Sequence, residues 1–336
     1  MEYREDRADS KKYKEEYLDG IEKLISRRQE ESEKKRAEYI KDVFAEPEKY
    51  REDLRKMLGW PLTENGVKAP PAADATFLSE EDGHRIYRMR IQVQGELTLT
   101  GLYFESTVPG ARPLVVALHG GLGTPELISG FLGDTSNYNG MLARVKKYGV
   151  DVFAPQLLLW DKKKYAVDYD RADIDEKLKN VGSSVTAVEI YAIMRAIDYF
   201  EKEKKITSFG MVGLSYGGFY TLRTAALDPR IKSAISCSFF GDGRSAFSGD
   251  RSWFGSAEKF DNAEIAALIY PRRLCIEVGE KDELFDIAGA RRSFNRLKEI
   301  CRPVGTDWVD YIEFDGVHEF CRDDGPIEKM INDLYL

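Results

Sequence analysis

Histidine is scarce in this chain: His84, His119 and His318 are the only three among 336 residues. Chemistry that needs an imidazole is therefore confined to three positions. Cysteine is almost as rare, with Cys237, Cys275, Cys301 and Cys321 scattered and none in C-x-x-C spacing. That spacing argues against a zinc ribbon or a dithiol redox motif, and four reduced thiols are expected. No apolar run approaches the length of a membrane span. The opening MEYREDRADSKKYKEEY is charged where a secretory leader carries an apolar core, so the expectation is a cytoplasmic protein with no membrane contact. Positive charge is not in excess either: 50 Lys and Arg against 58 Asp and Glu leave a net −8. A nucleic-acid partner is not expected, because phosphate neutralisation needs a basic surface. No internal repeat is found.

What the chain does have is enough apolar sequence, 43%, for one large core, and its length suits a single α/β unit with extensions. Residues 1–58 differ in texture, being charged and helix-prone. Tyr17, Leu18, Ile21, Leu24 and Ile25 recur at helical spacing, while Ser26 to Glu38 is almost wholly polar. This pattern reads as a surface helix, or as an arm gripping a second subunit in a homo-oligomer. Residues 59–84, with LGWPL at 58–62 and Pro70-Pro71-Ala72-Ala73, read as a linker. Strand-like sequence is expected from Arg85, opening a catalytic body over 85–336. An antiparallel pair is expected at Ile86–Val93 and Leu97–Glu105, turning at Gly95. Buried strands follow at Leu114–Leu118, Val150–Phe153, Ser208–Val212, Ser233–Cys237, Leu274–Val278 and Val309–Phe314. A helix over Ser184–Glu201, capped by Ser183 or Ser184, is the best of those between them. Such alternation predicts an α/β fold, a mostly parallel sheet covered by helices on both faces.

The stretch FGMVGLSYGGF at 209–219 contains G-x-S-x-G as Gly213, Leu214, Ser215, Tyr216 and Gly217. An apolar strand precedes it and the helix-like FYTLRTAAL follows. A serine on so sharp a strand-to-helix turn projects its hydroxyl above the sheet, and glycines on either side let the chain pack there. A hydroxyl is a poor nucleophile at neutral pH without a base. His84 lies in the polar EEDGHR and reads as a surface histidine. His119 precedes a glycine pair and reads as a loop shaper. His318, in EFDGVHEF, remains as the base. It lies C-terminal to Ser215, with room for a carboxylate between them. Asp282, after the strand LCIEV, fits that role best; Glu280 and Glu283 are rivals, Glu277 falls inside the strand, and Asp286 reads as a helix-start acid. An oxyanion formed at the serine needs preorganised donors. The amide of Tyr216 is one, and Gly121, with Leu122 close behind, supplies the other.

The LHGG loop, the GLSYGG turn, the GEKDELF acid loop and the DGVHEF histidine loop together resemble the α/β-hydrolase superfamily. Within it they look like the dienelactone hydrolase and acetyl xylan esterase-like branch, over roughly Leu97 to Leu336. The resemblance implies an α/β-hydrolase fold and a serine esterase with no metal and no cofactor. It also implies small-molecule esters, carbohydrate acetates among them, as substrates. Residues 1–58 have no place in the minimal family fold, and 156–182 and 240–269 look like insertions near the site. Dienelactone hydrolases proper use cysteine, so Ser215 favours ester hydrolysis. Phe247, Trp253, Phe254 and Phe260 in the second insertion suggest a pocket wall or a lid. Lys162, Lys163, Lys164, Tyr165, Tyr169 and Arg171 suggest a solvated loop or a site for an acidic substrate. Two other readings are a prolyl oligopeptidase-like peptidase and a catalytically silent hydrolase-fold binding protein. The first lacks its large N-terminal propeller here, and the second leaves a filled triad unexplained.

Overall fold

The structure is a computed structural model that describes residues 2–64, 69–110, 112–243 and 249–336. Its centre is a nine-stranded sheet, in chain order β1 (Ala73–Glu81), β2 (His84–Gln94), β3 (Leu97–Ser106), β4 (Leu114–Leu118), β5 (Asp151–Pro155), β6 (Phe209–Leu214), β7 (Ile231–Cys237), β8 (Arg273–Gly279) and β9 (Val309–Phe314). The spatial order is β1-β2-β3-β5-β4-β6-β7-β8-β9. β5 through β9 are joined in parallel, and β1, β2 and β3 add an antiparallel edge. The expected α/β architecture is present, with strand boundaries shifted by a residue or two.

Side chains alternate between two cores, as a sheet covered on both faces demands. Leu114, Val116, Leu118, Phe209 and Met211 point to one core, while Val115, Ala117, Val212 and Leu214 point to the other. The first is closed by α2 (Pro47–Leu58), α7 (Val185–Glu203), α8 (Tyr216–Leu227) and the helix Ile287–Ile300. The second is closed by α4 (Met141–Lys146) and the helix Gly325–Tyr335. Between these lie α3 (Pro125–Ile128), α5 (Lys162–Tyr165) and α6 (Arg171–Asn180). Ser184 caps α7, accepting from the Ala187 amide at 3.1 Å.

Two expectations are corrected. Strand-like sequence begins at Ala73, not Arg85: β1 occupies part of the stretch read as linker and pairs with β2 across Asp82 and Gly83, at φ 50° and 71°. Two successive positive φ values make a primed hairpin turn that suits the right-handed twist of paired strands. His84 is consequently not a surface residue but 2% exposed. Its ring nitrogens reach the Asp82 and Val150 carbonyls at 3.0 Å each, tying the hairpin to the start of β5.

The N-terminal helix α1 (Arg7–Tyr39) is long and mostly exposed, whereas α2 is packed into the body. Tyr50, Leu54 and Leu58 are buried. Arg51 and Arg55 donate to the Ala226 and Leu227 carbonyls at the end of α8. Guanidinium groups there satisfy the orphan carbonyls of a helix terminus and complement its dipole. All four cysteines are free and buried. Among the described residues no helix is long and apolar enough to cross a membrane, and no group of His, Cys, Asp or Glu could hold a metal ion.

Candidate functional site

The carboxyl ends of β4, β6, β7 and β8 converge on one cluster of loops. Ser215 connects β6 to α8 with φ 59° and ψ −121°, a backbone conformation that side-chain-bearing residues rarely adopt and that marks stored strain. Its glycine neighbours are required by contact. A Cβ on Gly213 would stand 2.3 Å from the Gly217 carbonyl carbon, and one on Gly217 would stand 2.2 Å from the Leu118 carbonyl oxygen. The G-x-S-x-G spacing thus reflects a turn pressed against its own helix and against β4. The Ser215 amide donates to the Cys237 carbonyl at 2.9 Å, fixing the turn to the end of β7.

His318 lies in the loop after β9. Its Nδ1 is 2.8 Å from Asp282 Oδ2. An ionised carboxylate only accepts, so Nδ1 is the donor in this pair and Nε2 is the nitrogen that Asp282 does not engage. Asp282 is turned in by the amides of Leu284 and Phe285, at 2.8 and 3.0 Å from its other oxygen. Burial raises its pKa, but the hydrogen bond and charge of His318 and those two amides outweigh burial and leave it below the ordinary carboxylate value. Phe285 stacks on the imidazole with centroids 5.6 Å apart. The histidine loop is held in turn by Asn137, which donates to the His318 carbonyl at 2.9 Å, and by Ser238, which donates to the Glu319 carbonyl at 3.2 Å. Ser238 follows Cys237 in chain, so the serine turn and the histidine loop are both fastened to the end of β7.

The sequence-predicted residues are therefore brought together in part. His318 and Asp282 form their pair; the Ser215 hydroxyl is not hydrogen-bonded to His318 among the described residues. Catalytic hydrogen bonds are often long in unliganded sites. The rivals of Asp282 are placed differently: Glu277 is buried within β8, Glu280 and Glu283 are exposed, and Asp286 caps the helix Ile287–Ile300.

Gly121 lies close to the Tyr216 ring, where a Cβ would meet Tyr216 Cδ2 at 3.7 Å. No backbone acceptor takes the amide of Gly121 or of Tyr216 among the described residues. Leu122 is at φ 61° and bridges to Trp160, joining this loop to the segment after β5. His119 acts beneath as the expected loop shaper. It is fully buried, and the Leu157 amide donates to its Nε2 at 3.0 Å while Nδ1 lies 3.0 Å from the Gly120 carbonyl. Burial pushes its pKa down to about 4, so it stays neutral in this role.

One assembly was not foreseen. Arg171 donates to Asp250 at 2.6 Å, to Glu189 at 3.0 Å, to the Tyr220 hydroxyl at 2.6 Å and to the Leu158 carbonyl at 2.9 Å. The Tyr216 hydroxyl donates to Asp250 at 3.0 Å, and Tyr220 also bonds Glu189. Arg171 is therefore committed to internal partners and is not the cation for an acidic substrate that the sequence suggested. The available signal was Glu189, an acid among the apolar residues of α7. The aromatics of the second insertion are also redistributed: Trp253 and Phe260 join the main core, Phe254 is fully exposed, and Phe247 lies outside the described residues.

A scan against protein-family models finds no match, and neither does a search of the curated proteins. Solved structures do match. A glucuronoyl esterase from Solibacter usitatus superposes with a TM-score of 0.63 at 13% identity, covering 86% of this chain and 92% of that one. An acetyl xylan esterase from Paenibacillus sp. R4 gives 0.56 at 17% identity, covering 84% and 90%. A cold-adapted esterase from an Arctic intertidal metagenomic library gives 0.54 at 19% identity, covering 77% and 99%. The fold is that of the α/β-hydrolases, with an N-terminal helical addition.

Proposed function

We propose that this protein is a serine carboxylic ester hydrolase in which Ser215 is the nucleophile, His318 the base and Asp282 the orienting acid. The observation that carries the reading is the 2.8 Å His318–Asp282 pair together with a serine held at φ 59° on a strand-to-helix turn. With Nδ1–H directed at Asp282, His318 Nε2 accepts the Ser215 proton as the hydroxyl attacks an ester carbonyl. Asp282 steadies the imidazolium that forms. The amides of Tyr216 and Gly121 receive the oxyanion, Tyr216 from the first turn of α8, where helix N–H groups lack intrahelical acceptors. The alcohol leaves with the proton from His318. Water, activated by the same imidazole, then cleaves the acyl-Ser215 ester.

Small esters are the proposed substrates, carbohydrate acetates foremost, because esterases acting on xylan or bearing the glucuronoyl name share this fold. The fold alone does not carry a substrate, so the test is chemical. Parent and Ser215→Ala proteins are assayed against p-nitrophenyl esters from acetyl to octanoyl, acetylated sugars and an aminoacyl p-nitroanilide. The parent is expected to prefer acetyl, and Ser215→Ala to lose at least ~10³-fold in kcat. Equal turnover by both proteins defeats the assignment, and faster amide than ester cleavage replaces it with a peptidase.

A further inference from the structure

We infer that the exposed N-terminal half of α1 pairs with the same segment of a second copy of this chain, antiparallel, about a two-fold axis passing near Ile21. From Lys11 to Glu30 every residue of α1 is exposed. The first grip on the body comes where Arg28 and Lys35 meet Glu258 at 3.0 and 2.7 Å. About 30 Å of helix thus has no neighbour on the body among the described residues. Isolated helices are marginal in water, and i,i+4 pairs such as Lys11–Glu15 and Asp19–Lys23 add only a few tenths of a kcal/mol each. The segment needs something to lie on.

Its free face is apolar and has a centre. Tyr17, Leu18, Leu24 and Ile25, exposed by 74, 57, 48 and 50%, sit three and four residues on either side of Ile21. That arrangement reads the same in both directions, which is what a two-fold antiparallel pair asks of its seam. Leu18 of one copy then lies level with Leu24 of the other, Tyr17 with Ile25, and Ile21 with itself. Gly20 adds no side chain to hold the helices apart; a Cβ there would touch nothing.

Charge selects the direction. Antiparallel pairing about Ile21 sets Glu15, Glu16 and Asp19 of one copy beside Arg27, Ser26 and Lys23 of the other, whereas parallel in-register pairing sets the acids beside their own kind. At helix separations of about 8–10 Å such charges still act within a Debye length. The stripe, with Tyr13, presents on the order of 600 Å² per copy. Two copies thus reach the roughly 1,000 Å² expected of a specific interface. A second copy is the occupant that supplies both this symmetry and this charge match.

Sedimentation velocity on the full chain from 1 to 100 µM decides the stoichiometry, with a dimer expected. Ile21→Glu is expected to sediment as a monomer while hydrolysing p-nitrophenyl acetate at the parent rate per subunit. Direction is read by introduced thiols, since the native cysteines are buried. Ile21→Cys should form an intermolecular disulfide on mild oxidation. Tyr13→Cys should not, because its counterpart lies about 24 Å away along the paired helices. A parent that stays monomeric throughout, an Ile21→Glu protein that still dimerises, or Tyr13→Cys crosslinking as readily as Ile21→Cys would each overturn the proposal. The sedimentation result stands whether or not the ester reading survives.

Discussion

Glu277 and Asp282 are five positions apart, and their surroundings drive them in opposite directions. Asp282 leaves β8 into a loop that offers two amides and an imidazole, so its charge is compensated. Glu277 stays in the strand, level with Cys237 of β7, with no exposure and no hydrogen-bond partner on either carboxyl oxygen among the described residues. Burial pushes its pKa up to about 8, partly offset by the neighbouring Cys237 thiol. At neutral pH it is therefore a neutral acid, and its proton is linked to stability. Below about pH 4.5 folded and unfolded chains both hold the proton. Between there and about pH 8 the unfolded chain releases it first, so each pH unit removes up to ~1.4 kcal/mol, and above pH 8 the loss is complete. Glu277→Gln keeps the shape and abolishes the linkage. Relative to the parent it should gain on the order of 5 °C in Tm on going from pH 5 to pH 8.5. A difference in Tm that stays constant across that range would show that Glu277 does not titrate in the folded chain.

At the scale of elements, what was legible depended on how local the cause was. The β6–Ser215–α8 unit could be read because strand, glycines and helix are contiguous, and Ser184 could be read as a cap because capping acts within three residues. The β1–β2 hairpin carried an equally local signal, Asp82-Gly83 between extended segments, which the prolines upstream obscured by making the stretch resemble a linker. What sets Asp282 apart from the other acids near 280 is its contact with the amides of Leu284 and Phe285 and with a histidine 36 positions away, and only the fold supplies those. The least legible feature was the junction of α6, α7, α8 and the 249–251 turn at Arg171, because its members come from four separate stretches of chain. That junction fastens Tyr216, the proposed oxyanion donor, to both insertions. Arg171→Met should leave Asp250 and Glu189 as buried carboxylates without their cation, costing ~3–5 kcal/mol in denaturant unfolding. Paired with Asp250→Asn it should show a coupling energy above about 1 kcal/mol. In the single variant kcat should fall more than KM rises, since the Tyr216 amide would be held less well where the oxyanion forms. Additive stability changes together with an unaltered kcat would reduce the cluster to packing.

For the molecule as a whole, the N-terminal segment is two devices joined end to end. Among the described residues, helix α1 rests on the body from about Arg28 onward. α2 is built into it, with Tyr50, Leu54 and Leu58 buried at 2, 0 and 1% exposure and two arginines on the carbonyl end of the helix that begins after Ser215. The two halves should therefore respond differently to removal. Deleting residues 1–26 strips exposed helix and leaves the Arg28 and Lys35 contacts with Glu258. The product should keep its Tm within about 2 °C and its hydrolysis per subunit, while losing self-association. Deleting residues 1–58 uncovers the core beneath α2. Three fully buried side chains alone are worth roughly 1.5–3 kcal/mol each, against a total margin of about 5–15 kcal/mol for a domain. The arginine caps add to that loss, so the longer deletion should aggregate or melt at least ~10 °C lower. Its failure would begin at the carbonyl end of α8, because uncapped carbonyls and bared apolar surface both fall there. If instead the longer deletion folds and hydrolyses esters normally, α2 is an appendage, and the support of the serine-bearing helix must come from within residues 59–336.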